Sequence, residues 1–152
     1  MRLHIVAVGR ARDGAIAELY RDYVRRLGWP VALHEVELRA LPAPGERAGR
    51  EAALLRARVP AGATIVALDP RGEALSSEAF ARRIGRWRDE ATADLAFVIG
   101  GADGLTDEIR RAAALVLSLG SMTWPHLLAR VMLAEQLFRA QSILSGHPYH
   151  RG

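Results

Sequence analysis

Four short, mainly apolar runs, at residues 3–8, 64–69, 95–99 and 115–119, recur along the chain with helical patterns between them. Runs of this length are read as strands buried on both faces, and such strands pair in parallel, with helices crossing over between them. A fifth segment, 31–38, alternates apolar and polar residues (Val31, Leu33, then Val36 and Leu38), as a half-exposed strand does. The pattern predicts one α/β domain built on a mostly parallel sheet with helices on both faces. A length of 152 residues suits a single domain with a proper core. There is no internal repeat, low-complexity tract or linker.

The intervening segments carry helix signals. Ile16, Leu19, Tyr20, Tyr23, Val24 and Leu27 recur at helical spacing after Asp13-Gly14, and Gly28-Trp29-Pro30 stops them. Residues 46–58 form an Ala- and Arg-rich surface helix with Leu54 and Leu55. Ser76 caps a helix to about residue 89 whose face holds Phe80, Ile84 and Trp87. Thr106 starts another, to about residue 114. The last pattern, 127–145, is apolar around most of its circumference, while Arg130, Glu135, Gln136, Arg139 and Gln141 exclude a membrane span. A helix of this kind needs more than one face covered. The expected cover is a second copy of the chain, giving a homodimer through the C-terminal helix. The alternative is a central helix enclosed within one chain.

Composition narrows the chemistry. With no cysteine, disulfides, thiolate nucleophiles and Cys-ligated metal centres are excluded. The first residues read as a strand and not as a signal peptide, so a cytoplasmic location is expected. The net charge of +4 suits a polyanionic partner. All 21 basic residues are Arg, however, and Ala is abundant, which reflects compositional drift. Clusters therefore count for more than the total: Arg10 with Arg12, Arg21 with Arg25 and Arg26, and Arg82, Arg83, Arg86 and Arg88.

Ligands of open parallel sheets bind beyond the carboxyl ends of the strands. Three segments lie at such ends: 68–72, 99–104 with Gly100 and Gly101, and 119–125 with Leu119, Gly120, Ser121, Met122, Thr123 and Trp124. Glycine there lets backbone approach a ligand. The last segment, small, hydroxylic and apolar, suits a flat aromatic ring better than a triphosphate. No phosphate-binding loop, dinucleotide fingerprint or nucleophile elbow is present.

The chain ends in His147, Pro148, Tyr149, His150 and Arg151, which together can move protons, stack on bases and grip phosphate. Against a functional site stands a solvated tail. His126, His147 and His150 could also converge on a metal, although no helical His pair and no nearby carboxylate supports one.

Residues 3–9, 64–69, 98–101 and 118–126, Arg130-Val131, Phe138-Arg139-Ala140, Ser142-Ile143 and the His-Pro-Tyr-His-Arg terminus closely resemble the RlmH family, ribosomal large-subunit RNA methyltransferases of the SPOUT superfamily. The resemblance runs from end to end. It implies an α/β fold with a C-terminal trefoil knot, an exception to the rule against knots. It further implies an obligate homodimer, S-adenosylmethionine as methyl donor without metal, and methylation at N3 of a pseudouridine in 23S rRNA of the assembled ribosome. Carried over by residue, it sets the cofactor against Leu68, Gly100 and the stretch 119–124. Leu127, Leu128 and Ala129 depart from the proline and valine that often follow the loop histidine in the family. The imide nitrogen must lose its proton to attack, so His150 is the expected acceptor, with Tyr149 on the base and Arg151 on phosphate or imidate. RNA docking by the tail without proton transfer is the competing role. Two rival functions are a non-catalytic ribosomal RNA binder and a His-dependent metal hydrolase.

Overall fold

The computed structural model describes residues 1–150, with His150 described by its backbone alone; Arg151 and Gly152 lie outside the described residues. Five strands, β1 (Arg2–Val8), β2 (Val31–Val36), β3 (Thr64–Ala74), β4 (Asp94–Ile99) and β5 (Leu115–Ser118), form one sheet in the order β2-β1-β4-β3-β5. Every pairing is parallel, with Leu3 opposite both Val31 and Leu95. The helices are α1 (Ala15–Arg25), α2 (Arg47–Arg56), α3 (Ser77–Asp89), α4 (Asp107–Ala112) and α5 (His126–Ser145), and Pro148–His150 forms a 3-10 turn.

Successive side chains of a strand point to opposite faces, and both faces here are covered. Leu3, Ile5, Leu95 and Phe97 pack with Tyr20, Phe80, Ile84, Leu133 and Leu137 under α1, α3 and α5. Val6, Val8, Ala67 and Val98 pack with Ala52, Leu55 and Ile109 under α2 and α4. This two-sided burial is why the strands read as continuous apolar runs. Ser76 caps α3 as expected, its hydroxyl accepting from the Ala79 N–H at 3.2 Å.

One expectation is corrected. The strand read over 64–69 continues to Ala74. Pairing with β4 stops at Leu68, and Leu117 of β5 is paired first with Leu68 and then with Glu73, so residues 69–72 are extruded from the ladder. Pro70 sits in that extrusion, where no partner needs its missing N–H. Helix α5 has its apolar circumference largely covered within one chain. It lies against α1, α3 and the sheet, burying Val131, Leu133, Ala134, Leu137, Phe138 and Ala140. Gly85 of α3 makes room for it: a Cβ there would come within 2.9 Å of Leu144. Burial of this helix does not by itself require a second copy.

Candidate functional site

The three strand-end segments close around one cleft of about 550 Å³. Leu68, Gly100, Gly101, Leu119, Gly120, Met122, Thr123 and Trp124 all line it. Ser121 is exposed beside the cleft and is not part of its lining. Asp69, Pro70, Ala102, Gly104, Pro125, His126 and Ala129 complete the wall.

Close backbone approach explains the double glycine. A Cβ on Gly100 would lie 2.7 Å from the Gly104 carbonyl carbon, and one on Gly101 would lie 2.6 Å from Glu51 Oε2. The turn between them is held by the Gly104 N–H donating to the Gly101 carbonyl at 3.0 Å. Glu51 comes from α2 on the opposite side of the sheet and is 3% exposed; Arg47 donates to its Oε1 at 2.9 Å, while Oε2 is buried without a partner. The loop opposite is closed on itself. The Ser118 hydroxyl accepts from the Gly120 N–H at 3.1 Å and donates to the Gly120 carbonyl at 3.0 Å, and Trp124 Nε1 donates to the Leu119 carbonyl at 3.3 Å. Met122 is 70% and Trp124 42% exposed, an apolar rim left open.

Charge at the floor is tightly held. Asp69 is buried; Arg71 donates to it from its backbone and its guanidinium, and Arg110 donates at 3.0 Å. The Arg71 hydrogen bond, against the opposing effect of burial, brings the Asp69 carboxyl down to about 2. His126 is half-buried with its ring over Gly9, and burial, then the Arg130 charge, keep its pKa below the usual imidazole value. Arg130 is 2% exposed; it donates to Glu35 at 2.6 Å and to the carbonyls of Val8 and Gly9 at 3.0 and 2.5 Å. Neither Asp69 nor Glu51 was singled out from sequence, because a carboxylate following a strand or within an Arg-rich helix reads as solvated.

The tail lies elsewhere in the chain. At the end of α5, Gly146 takes φ 70° and the His147 N–H donates back to the Ser142 carbonyl at 2.9 Å, which turns the chain along the helix. Tyr149 stacks edge-on against Phe138 with centroids 4.6 Å apart, and its hydroxyl donates to Glu135 at 3.2 Å. Burial first, with Tyr23 and the Glu135 carboxylate beside it, pushes the phenol up to about 12. Glu135 lines a second, apolar groove of about 590 Å³ with Leu19, Tyr23, Phe80 and Met132. That groove meets the first cleft at Leu117, Leu119 and Gly120. Tyr149 thus sits against the middle of α5 and does not line the cleft.

The side chain of His150, and Arg151 altogether, lie outside the described residues. His126 and His147 stand at opposite ends of the 20-residue α5, about 30 Å apart at the helical rise. They do not share a metal site, and among the described residues no group of three ligand-type side chains could hold an ion. Of the basic residues, Arg25 pairs with Asp22, Arg10 approaches Glu37 at 3.9 Å, and Arg26 lies 4.1 Å over the Phe138 ring. Among the described residues no helix is long and apolar enough to cross a membrane.

An open parallel sheet with a glycine-walled cleft beyond its carboxyl strand ends places the chain among the doubly covered α/β proteins that bind ligands there. A probable methylase family protein of Haemophilus influenzae has a similar fold, with a TM-score of 0.58 at 14% identity, covering 97% of this chain and 69% of the other. The family model described as a predicted SPOUT methyltransferase matches residues 1–150. Proteins called ribosomal RNA large subunit methyltransferase H from Rhodospirillum centenum and Paramagnetospirillum magneticum are 62% and 54% identical, each over 99% of both chains. The chain belongs to the SPOUT methyltransferase family.

Proposed function

We propose that this protein transfers the methyl group of S-adenosylmethionine to N3 of a pseudouridine in 23S rRNA of the assembled cytoplasmic ribosome, working as a homodimer. The observation that carries the reading is the cradle made by Gly100, Gly101 and the 119–124 loop. A cleft of about 550 Å³ falls within the range of roughly 300–1,000 Å³ usual for small-molecule sites. Backbone at Gly100 and Gly101, with apolar side chains at Leu68, Leu119, Met122 and Trp124, fits a nucleoside and its methionine arm. The names of the relatives support the ribosomal substrate.

When bound, the cofactor supplies an electrophilic methyl group on a sulfonium. Leu68, Gly100 and the loop residues would hold it in place. Alignment of a nucleophile with such a carbon removes an entropic barrier of roughly 7–11 kcal/mol in favourable cases. The imide proton must leave before the nitrogen can attack, and His150 is its acceptor, a step contributing about 10²–10⁴-fold. Tyr149, with its phenol pushed to about 12, stays neutral and donates a hydrogen bond or stacks on the base. Arg151 would contact phosphate or stabilise the imidate.

The separation of Tyr149 from the cleft supports the homodimer, because a second copy is then needed to bring a tail to each cleft. The apolar groove along α5, with Leu19 46% exposed at its edge, is its seat. The knotted C-terminal path belongs to the same reading, supported by the seating of α5 between α1 and α3 directly after the 119–125 loop.

The deciding experiment titrates wild type and Gly100→Val with S-adenosylmethionine, then assays methyl transfer to assembled ribosomes. Micromolar binding lost in the variant, with one methyl added per 23S rRNA by wild type, is the expected result. Absence of binding by folded wild type overturns the assignment.

A further inference from the structure

Helix α3 carries a row of guanidinium groups that the cleft does not use. Arg82, Arg83, Arg86 and Arg88 line an open groove of about 600 Å³ between α3 and the end of α5, floored in part by Gly85 and Leu144. Its one carboxylate, Asp89, is taken by Arg88 at 2.8 Å. The nearest carboxylate to Arg83 is Glu73 at 3.9 Å. Arg82 and Arg86 are exposed, and neither makes an ion pair with a described residue. Four cations therefore meet two carboxylates, which leaves Arg82 and Arg86 unengaged by either, on a helix whose opposite side is pinned to the core by Phe80, Ala81, Ile84 and Trp87.

The shape selects the ligand. Arg82 and Arg86 are one turn apart on the same side of α3, with Cβ atoms about 5–6 Å from each other. They form a line of charge and not a cup, so a small free anion would have no enclosing wall. A line of forked guanidinium groups matches successive phosphates of a nucleic-acid strand. Position selects its role. Leu144 stands two residues before Gly146, where the chain turns into the tail. The groove is thus adjacent to the root of the segment assigned to the target base.

We propose that this arginine groove is the track for the phosphodiester backbone of the substrate RNA, holding the strand that flanks the target nucleotide. The inference rests on the proposed methyl transfer to rRNA. The groove binds through charge and carries no base specificity, which stays with the tail and the cleft.

The test compares R82Q/R86Q with R58Q/R111Q, a pair that removes the same charge from the α2 and α4 side of the sheet. Both are assayed for methyl transfer to assembled ribosomes over a salt series, beside titrations with S-adenosylmethionine. The groove pair should raise KM for ribosomes about tenfold at moderate salt with kcat within about twofold. The log–log salt slope should fall by about 1.4–1.8, the loss of two phosphate contacts. Cofactor affinity should match wild type in both pairs. Equal KM values for the two pairs overturn the track. If wild type binds the cofactor but methylates no ribosome, the substrate assignment fails separately. Binding of a short single-stranded RNA then decides the groove alone: weakening confined to R82Q/R86Q upholds it, and unchanged binding removes it.

Discussion

Arg130 on α5 and Glu35 on β2 meet at 2.6 Å across the carboxyl end of β1, and the same guanidinium holds the Val8 and Gly9 carbonyls. Glu35 also accepts from the Ala11 N–H at 2.7 Å. One buried cation thus ties the first strand, the loop after it and the base of the last helix together beside the cleft.

Replacing Arg130 with Met leaves Glu35 with the Ala11 N–H alone and takes the guanidinium from two carbonyls. Breaking a buried pair from one side costs about 3–5 kcal/mol, and the lower end applies because the Glu35 side chain is 25% exposed. Arg130→Lys should recover little, since an ammonium lacks the fork that serves three acceptors. Urea unfolding of both variants measures this; a loss below about 1 kcal/mol in the Met variant would show that the pair is not a structural tie.

Gly101→Ala brings a methyl group onto Glu51 Oε2. Overpacking of this kind costs about 1–3 kcal/mol, and cofactor affinity should fall with it because Gly101 lines the cleft. Glu51→Ala in the same chain should return part of the stability, with a coupling above about 0.5 kcal/mol. Additive losses in a double-mutant cycle would show that the two residues do not press on each other.

Tyr149→Phe removes the hydroxyl that Glu135 accepts. The stability change should be about 0.5–1.5 kcal/mol, cofactor affinity should hold, and the methyl-transfer rate should drop. Because the phenol is pushed to about 12, its ionisation should leave no mark on the pH–rate profile near neutrality. A basic limb that disappears in the Phe variant would contradict this.

At the opposite end of the sheet, buried His4 bridges Asp94 at 2.8 Å and His34 at 3.2 Å. Burial, then the charges of His4 and Arg58, lower the His34 pKa from 6.5. The folded chain therefore favours neutral His34. That stability is full above the ordinary imidazole range and is lost as pH falls through the lowered value. Thermal unfolding of wild type should weaken below about pH 6.5, and His34→Gln should flatten the curve. Parallel curves for the two proteins would locate the sensitivity elsewhere.

The strands were legible because burial on both faces leaves few polar positions within them, and the Ser76 cap because its hydroxyl has one local use. Strand-end glycines likewise announced the cleft, although Ser121 turned outward. What sequence could not show is set by pairs distant along the chain: Arg130 with Glu35, Glu51 behind Gly101, and Asp69 with Arg110. Each is a charge that reads as solvated until the fold supplies its partner. The extrusion at 69–72 was hidden because Pro70 and Gly72 signal an end to a strand and say nothing of its resumption. How much of α5 is covered within one chain was not legible, because hydrophobicity reports that a helix is enclosed, not by which chain.

Gly146 gives the tail its heading. Its left-handed backbone turns the chain back along α5 instead of onward past it, so the Tyr149 phenol owes its place against Phe138 to a residue with no side chain. A bulkier residue there would keep the phenol and cost it that seat. For this segment, aim is inherited from a single torsion.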